Sequence, residues 1–397
     1  MKTSDFLIIG AGIIGFAVAR SLLKRHPGCS IQILEKESSA GFHASGRNSG
    51  VLHAGFYYSE DSLKARFTRD GNQSMREFCS EQKLPINNCG KLVVAINEDE
   101  VAGLEELFRR ANVNNIDTSL ITVDEARELE PRIRTVEKAL WSPTTSSVNP
   151  RDIMQALEQE LIAAGVKIDK GVSYHSCNGA SVETSNGSYS IGHLINAAGL
   201  YADRIAHGMD FGEQYRVAPF KGLYLYANDK IGTFKRHIYP VPNLNNPFLG
   251  VHYTLTVDFG MKIGPTAIPA FWREQYSGMD GFNLQELSES VLNNAALFIQ
   301  DPNGYRKLAT QEVRKYFKTT MVADAAQMAT NVDASMFSEW GSPGIRAQLL
   351  NIKERTLVND FLVEGDVKST HILNAVSPAF TCAFPFADYV VDNIPGS

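Results

Sequence analysis

The sequence has no long apolar run, no basic stretch and no paired cysteine spacing, and each absence removes a class of protein. The one stretch that could serve as an anchor or signal, Phe6 to Ala19, is 14 residues long, short of the roughly 20 that a bilayer span requires. Glycines at 10, 12 and 15 interrupt it, which a βα turn explains better than a signal peptide's apolar core does. With 38 basic against 44 acidic residues and a net charge of -6, there is no basic stripe to meet phosphates, so no nucleic acid partner is expected. Cys29, Cys79, Cys89, Cys177 and Cys382 are odd in number, scattered and without CxxC or metal-ligand spacing. That excludes a disulfide scaffold, predicts no metal site and fits a reduced, cytoplasmic protein. Neither an internal repeat nor a low-complexity linker is visible.

What is present is ordinary globular composition, 44% hydrophobic in 397 residues, enough for about two domains. The opening reads as strand, turn, helix, strand. DFLIIG is a buried apolar run, GIIGFAVARSLLKRH has helical spacing, SIQILEK is a second apolar run, and Pro27 with Gly28 stops the helix between them. Gly10, Gly12 and Gly15 form GxGxxG at the strand-to-helix turn. The first glycine allows the tight turn, the second lets backbone approach a pyrophosphate, and the third lets helix and strand pack closely. Glu35, followed by Lys36, ends the second strand, where a carboxylate can accept hydrogen bonds from ribose hydroxyls and would repel a 2′-phosphate. A ligand-free glycine-rich turn is the bland alternative, and the turn alone does not separate FAD from NAD.

Later segments bear on that choice, because FAD is long and several stretches of chain must return to it. SGRNSG supplies the small residues Ser45, Gly46, Arg47, Asn48, Ser49 and Gly50. LINAAGLYAD brings a strand into a turn at Ala198 and Gly199. In NAVSPAFT, Ser377, Pro378 and Ala379 open a helix whose N-terminus can stabilise a reduced flavin's charge. An NAD enzyme needs neither of the last two.

The amphipathic pattern from about Leu63 to Lys83 predicts a polar helix, and NPRDIMQALEQELIAAGVKI predicts a helix feeding a strand. From about 215 to 275, PFKGLYLYA, RHIYPVP and PFLGVHYTLTVDFGMKIGP read as an antiparallel sheet of a second domain. Helices are expected from Leu284 to Tyr316, with no amphipathic anchor evident, and a strand, turn and helix close the chain. The expected fold is α/β: a Rossmann-like FAD-binding domain built from 1–84, 145–214 and 340–397, interleaved with an α+β substrate domain built from 85–144 and 215–339.

The stretches SGRNSGVLHAGFYY, SPTTSSVNP, PFKGLYLYA, YPVPNLNNPFLGVHYT, IGPTAIPAF, GIRAQ and NAVSPAFT resemble the D-amino-acid-oxidase-like superfamily of flavoenzymes, and within it the L-2-hydroxyglutarate dehydrogenase/oxidase family. The resemblance spans nearly the whole chain. It implies FAD as cofactor, with Val172, Gly344 and Ile345 joining the cofactor-binding residues. The reaction it implies is oxidation of a 2-hydroxy acid, a small carboxylate substrate, by hydride transfer from Cα to flavin N5. His53 and His252 are then candidates for the base that takes the hydroxyl proton, since neutral imidazole suits that task. Arg346, Lys221, Tyr58 and Tyr239 are candidates to hold carboxylates. In some amine-oxidising relatives a histidine placed like His53 is bonded to FAD. Departures are visible: the family favours Arg at Lys221, Asn at Thr266, His or Arg at Arg47, and small residues at Phe380, Cys382 and Pro385.

Each candidate also has a structural reading: a packed histidine, a surface ion pair for Arg346, a core tyrosine with a satisfied hydroxyl. His26, His43, His175, His193 and His371 are read as structural or solvated. An amine oxidase of the glycine or sarcosine type, a flavin protein without turnover and an NAD enzyme are the competing functions. The electron acceptor stays open among quinone, oxygen and a carrier protein, and the family implies a peripheral contact with the inner face of the membrane.

Overall fold

A computed structural model of the chain describes residues 2–228, 234–242, 249–375 and 377–395. Residues 243–248 of YPVPNLNNPFLGVHYT and Val376 of NAVSPAFT lie outside the described residues. The chain divides into two units, Met1–Asn48 with Pro150–Pro219 and Arg346–Ser397, and Ser49–Asn149 with Phe220–Ile345.

The first unit is built on a sheet whose strands run in the order Leu362–Gly365, Ser369–Asn374, Gly187–Asn196, Lys2–Ile9, Ile31–Glu35, Lys167–Lys170. All neighbours are parallel except the first two. Ile31–Glu35 and Ser369–Asn374 are buried at every position, as parallel strands covered on both faces must be, and this is why they read as unbroken apolar runs or as runs without a clear face. The helix Ile13–Arg25 packs against Pro150–Ala163 and the last helix, Ala379–Asp392.

The second unit holds a sheet ordered Phe337–Trp340, Leu225–Ala227, Met261–Gly264, His252–Leu255, His237–Pro240, Lys91–Val94, Lys138–Ser142, Ser119–Thr122. It is not purely antiparallel as the sequence suggested, because His237–Pro240 runs parallel to Lys91–Val94. Those strands come from different stretches of chain, so no hairpin fixes their relative direction.

The register decides what this sheet does. Ile238 lies opposite Tyr253, His237 opposite Lys91, Thr254 opposite Lys262, and Tyr226 opposite Lys262. Because side chains alternate between faces, one face carries Leu92, Val94, Leu225, Ile238, Tyr253, Leu255 and Ile263. These form an apolar core with Met321, Val322 and Ala325 of the helix Lys318–Ala326. The other face carries Lys91, His237, Tyr239, His252, Thr254, Lys262 and Tyr226, all buried except the last.

The unit boundaries differ from the expected ones. Residues 49–84 belong to the second unit, because Asn72, buried on the helix Leu63–Glu81, donates to the carbonyls of Leu52, His53 and Thr144. The strand Val51–Leu52 also pairs with Ser146–Ser147, which takes 145–149 the same way. Residues 215–219 fall in the first unit and 340–345 in the second, since the strands Tyr215–Gly222 and Gly344–Asn351 each carry the chain across a boundary partway along.

Candidate active site

In the first unit, the glycine turn separates three physical roles. Gly10 has φ +106°, and a Cβ there would meet the carbonyl oxygen of Ala197 at 2.6 Å. A Cβ on Gly15 would lie 2.0 Å from the carbonyl oxygen of Gly10. Both glycines are required by the protein itself. Gly12 is different: its φ of -86° suits any residue, and a Cβ would meet only the movable Ser45 hydroxyl at 3.1 Å. What the fold leaves unexplained at position 12 is explained by a phosphate group that must come close to the backbone, so the turn fits a dinucleotide diphosphate.

The surroundings of the turn are ordered. Glu35 accepts from the Ala11 amide at 3.0 Å and the Glu37 amide at 2.9 Å, so it braces the turn. Val172 donates its amide to the Glu35 carbonyl, and Lys36 pairs with Glu37 and lies over Tyr201. Ser45 Oγ accepts from the Ile13 amide at 2.9 Å, and Gly46 sits in a 3₁₀ turn with it. Arg47 folds back on the carbonyl and ring of Phe42, while Asn48 donates to the carbonyls of Ala44 and Ser45. The Ala198 amide is held by Asn196, Gly199 has φ +54°, and Ser377 and Pro378 precede a helix that starts at Ala379 with no side-chain cap. Arg346 is half-buried near the head of the strand Gly344–Asn351.

In the second unit, Ser49 Oγ accepts from the Val51 amide, Gly50 accepts from the Val148 amide with φ +76°, and Gly344 and Ile345 are buried. The polar face of the large sheet gathers three of the proposed catalytic residues. His252 stacks on Tyr239 with ring centroids 3.7 Å apart, and His53 meets Tyr239 edge-on at 6.5 Å. His252 Nδ1 is 2.8 Å from the Gly250 carbonyl oxygen. That oxygen can only accept, so Nδ1 carries the hydrogen and, in the neutral ring, Nε2 keeps its lone pair. Burial, then the charge of Lys91, pushes the His53 imidazole well below 6.5. Burial also raises the phenols of Tyr57 and Tyr239.

Tyr58 is half-buried with its ring beneath Lys64. Lys221 lies outside the large sheet, on a strand paired with Ile268, and burial lowers its amine pKa. Thr266, where the family favours Asn, donates to the Lys221 carbonyl and accepts from the Leu223 amide, stitching that strand.

Sequence reasoning missed His237 and Lys91. The Leu255 amide donates to His237 Nδ1 at 3.0 Å, so Nε2 carries the hydrogen, facing Cys89 Sγ at 3.2 Å and Ser147 Oγ at 3.3 Å. Both nitrogens being engaged, His237 is a structural imidazole and not a free base. The available signal for Lys91 was a lone charge opening the apolar run LVVA.

Comparison with known proteins follows the same line. The family model DAO, FAD dependent oxidoreductase, matches residues 5–359. The L-2-hydroxyglutarate dehydrogenase of Escherichia coli is 33% identical over 98% of this chain and 93% of its own length. The mitochondrial L-2-hydroxyglutarate dehydrogenase of Homo sapiens is 31% identical over 98% and 88%. Among solved structures, dithionite-reduced L-alpha-glycerophosphate oxidase from Mycoplasma pneumoniae with FAD bound superimposes with a TM-score of 0.78 at 21% identity, covering 99% of this chain and 95% of that one. L-proline dehydrogenase from P. horikoshii gives 0.71 at 18%, covering 99% and 94%. At those identities the structural likeness speaks for the fold.

Proposed function

The chain belongs to the FAD-dependent oxidoreductase family, and on that footing we propose that it oxidises a small 2-hydroxy acid, L-2-hydroxyglutarate, to 2-oxoglutarate. The observation that carries this reading is the His252 tautomer: with Nδ1–H given to the Gly250 carbonyl, Nε2 is the atom that takes the substrate's hydroxyl proton. Bound FAD supplies the two-electron acceptor at N5. Gly10, Gly12, Gly15, Glu35 and Ser45 hold its ADP half, with the 46–50 loop, Val172, Ala198, Gly199, Gly344, Ile345 and the helix start at 377–379 assigned to the rest. Arg346 and Lys221 are assigned to the carboxylates, helped by Tyr58, and Tyr239 orients His252 by stacking.

Anaerobic mixing tests this. L-2-Hydroxyglutarate should bleach the flavin absorbance near about 450 nm, and His252→Ala should slow that bleaching by roughly 100-fold or more. Bleaching by glycine or sarcosine alone would replace hydroxy-acid oxidation with amine oxidation. Bleaching by nothing in the panel would leave a binding protein.

A second element of the reading concerns where the enzyme works. Among the described residues no helix is long and apolar enough to cross a membrane, yet the helix Leu284–Gln300 turns large apolar side chains outward. Glu286 and Ser290 are buried, bonded to the Arg273 amide and the Ala270 carbonyl, while Leu284, Leu292 and Ile299 are 69%, 69% and 73% exposed. Val291 and Phe298 extend the same outward stripe. On the adjoining helix Tyr305–Arg314, Arg306, Lys307 and Arg314 are exposed and the one acid, Glu312, is buried. Apolar side chains flanked by cations suit the interface of an anionic bilayer, and we assign this surface to peripheral docking at the cytoplasmic leaflet, with a membrane quinone as electron acceptor.

A further inference from the structure

The polar face of the second unit's sheet holds a charge that the proposed base does not itself supply. Lys91 is wholly buried, and its Nζ has no hydrogen-bond partner among the described residues. The rings of Tyr57, Tyr239 and Phe56 surround that nitrogen at 4.6, 4.6 and 4.8 Å. A buried ammonium is ordinarily paired, yet no carboxylate among the described residues meets this one. Ring faces stabilise an ammonium without neutralising it, so its field reaches the neighbouring groups.

Those neighbours are imidazoles. His237 lies opposite Lys91 across the parallel strand pair. Tyr239 sits on the middle strand, between the strand of Lys91 and the strand of His252, touching the ammonium through its ring and stacking on His252. His53 meets the same ring edge-on. The ionisable groups facing Lys91 are thus Cys89, His237 and Tyr239 along the paired strands, His53, Tyr57 and Tyr58 from the loop, His252 on the next strand, and Lys262 beyond it. None of these groups is a carboxylate.

We propose that Lys91 is a positioning residue for proton transfer: its ring-caged ammonium keeps His53 free of a proton against the same Tyr239 ring on which the proposed base His252 stacks. This rests on the reading of the site as one that removes a hydroxyl proton. The electrostatic sign agrees. Burial brings Lys91 down to about 7, so it is cationic throughout the acidic range in which a histidine would otherwise gain a proton. Burial first, and the Lys91 charge after it, depress His53 and His237.

The test titrates the imidazoles of 15N-histidine-labelled holoenzyme by NMR, without substrate, in wild type, Lys91→Met and Lys91→Arg. Met keeps the volume and removes the charge, and Arg keeps the charge. In wild type the His53 midpoint should lie below 6.5; Lys91→Met should raise it by about one pH unit, and Lys91→Arg should leave it low. The acid limb of kcat/KM should move upward with it, a roughly tenfold loss at a pH below both limbs. A His53 midpoint unchanged in Lys91→Met, or a wild-type midpoint at or above 6.5 should the variant not fold, overturns the proposal. The two readings fail separately: a shifted titration with no hydroxy-acid turnover removes the substrate assignment, and turnover with an unshifted titration removes the role of Lys91.

Discussion

Gly12→Ala separates a glycine that the protein needs from one that a ligand needs. The backbone at Gly12 has φ -86° and ψ 178°, which alanine adopts freely. The added methyl would meet only Ser45 Oγ at 3.1 Å, a hydroxyl that can yield by a few tenths of an ångström while still accepting from the Ile13 amide. The flavin-free protein should therefore lose less than about 1 kcal/mol, or at most about 4 °C of melting temperature. With FAD the outcome reverses, because the methyl stands where a phosphate oxygen reaches the turn's amides. Losing one hydrogen bond to a charged group, about 1.5–3 kcal/mol, weakens FAD binding by about 10- to 150-fold. Gly15→Ala is the contrast, since its methyl would sit 2.0 Å from the Gly10 carbonyl oxygen. Backbone must then move, at about 1–3 kcal/mol in the flavin-free protein as well. Thermal melts of flavin-stripped protein and a fluorescence titration with FAD measure both quantities. Wild-type FAD affinity in Gly12→Ala, or equal melting losses in the two variants, would refute the assignment of position 12 to the diphosphate.

Acid stability and membrane docking give two further tests. His371 is fully buried, with Nδ1 accepting from the Asn196 amide group and Nε2 facing Ser369 Oγ, and burial lowers its pKa from 6.5 to about 4. Below pH 6.5 the unfolded chain gains a proton that the folded one refuses until about 4, so stability is full above 6.5 and falls by up to about 3 kcal/mol between those limits. Melts from pH 7 to 4 should show this slope, flattened in His371→Gln; an unaltered slope in the variant would sink the attribution. For the outward helix, Leu292→Glu and Ile299→Glu should each lower sedimentation with anionic vesicles by about tenfold or more, with little binding to zwitterionic vesicles in any form. Equal partitioning of variants and wild type would exclude that surface.

Most of the first unit was legible because its signals are local. The glycine turn, the helix after it and the strand ending at Glu35 lie within one short stretch, and parallel strands buried on both faces announce themselves as apolar runs. The boundary near residue 84 was not legible. Leu63–Glu81 reads as a helix from its own pattern, but what assigns it to the second unit is Asn72 reaching the carbonyls of Leu52, His53 and Thr144, and no spacing in the sequence foretells which carbonyls a buried amide will find.

The polar face of the large sheet was hidden for a related reason. His252–Leu255 reads HYTL, a polar–apolar alternation that ordinarily assigns the polar members to solvent. The alternation is real, but His252 and Thr254 are 4% and 0% exposed, so the second face of this strand meets protein instead of water. Only the pairing of Lys91 with His237, and of Tyr239's strand with that of His252, reveals that these polar members converge. A strand's period fixes which residues share a face, while distant register fixes what that face meets. The face of Ile238 and Tyr253 packs into the apolar core, and Tyr253 uses its hydroxyl on the Ala325 carbonyl. Tyr57, on the opposite side, leaves its hydroxyl without a partner among the described residues. Since a fold rarely buries unsatisfied hydroxyls, that difference between two faces of one sheet supports placing the proposed chemistry on the side of Lys91 and His252.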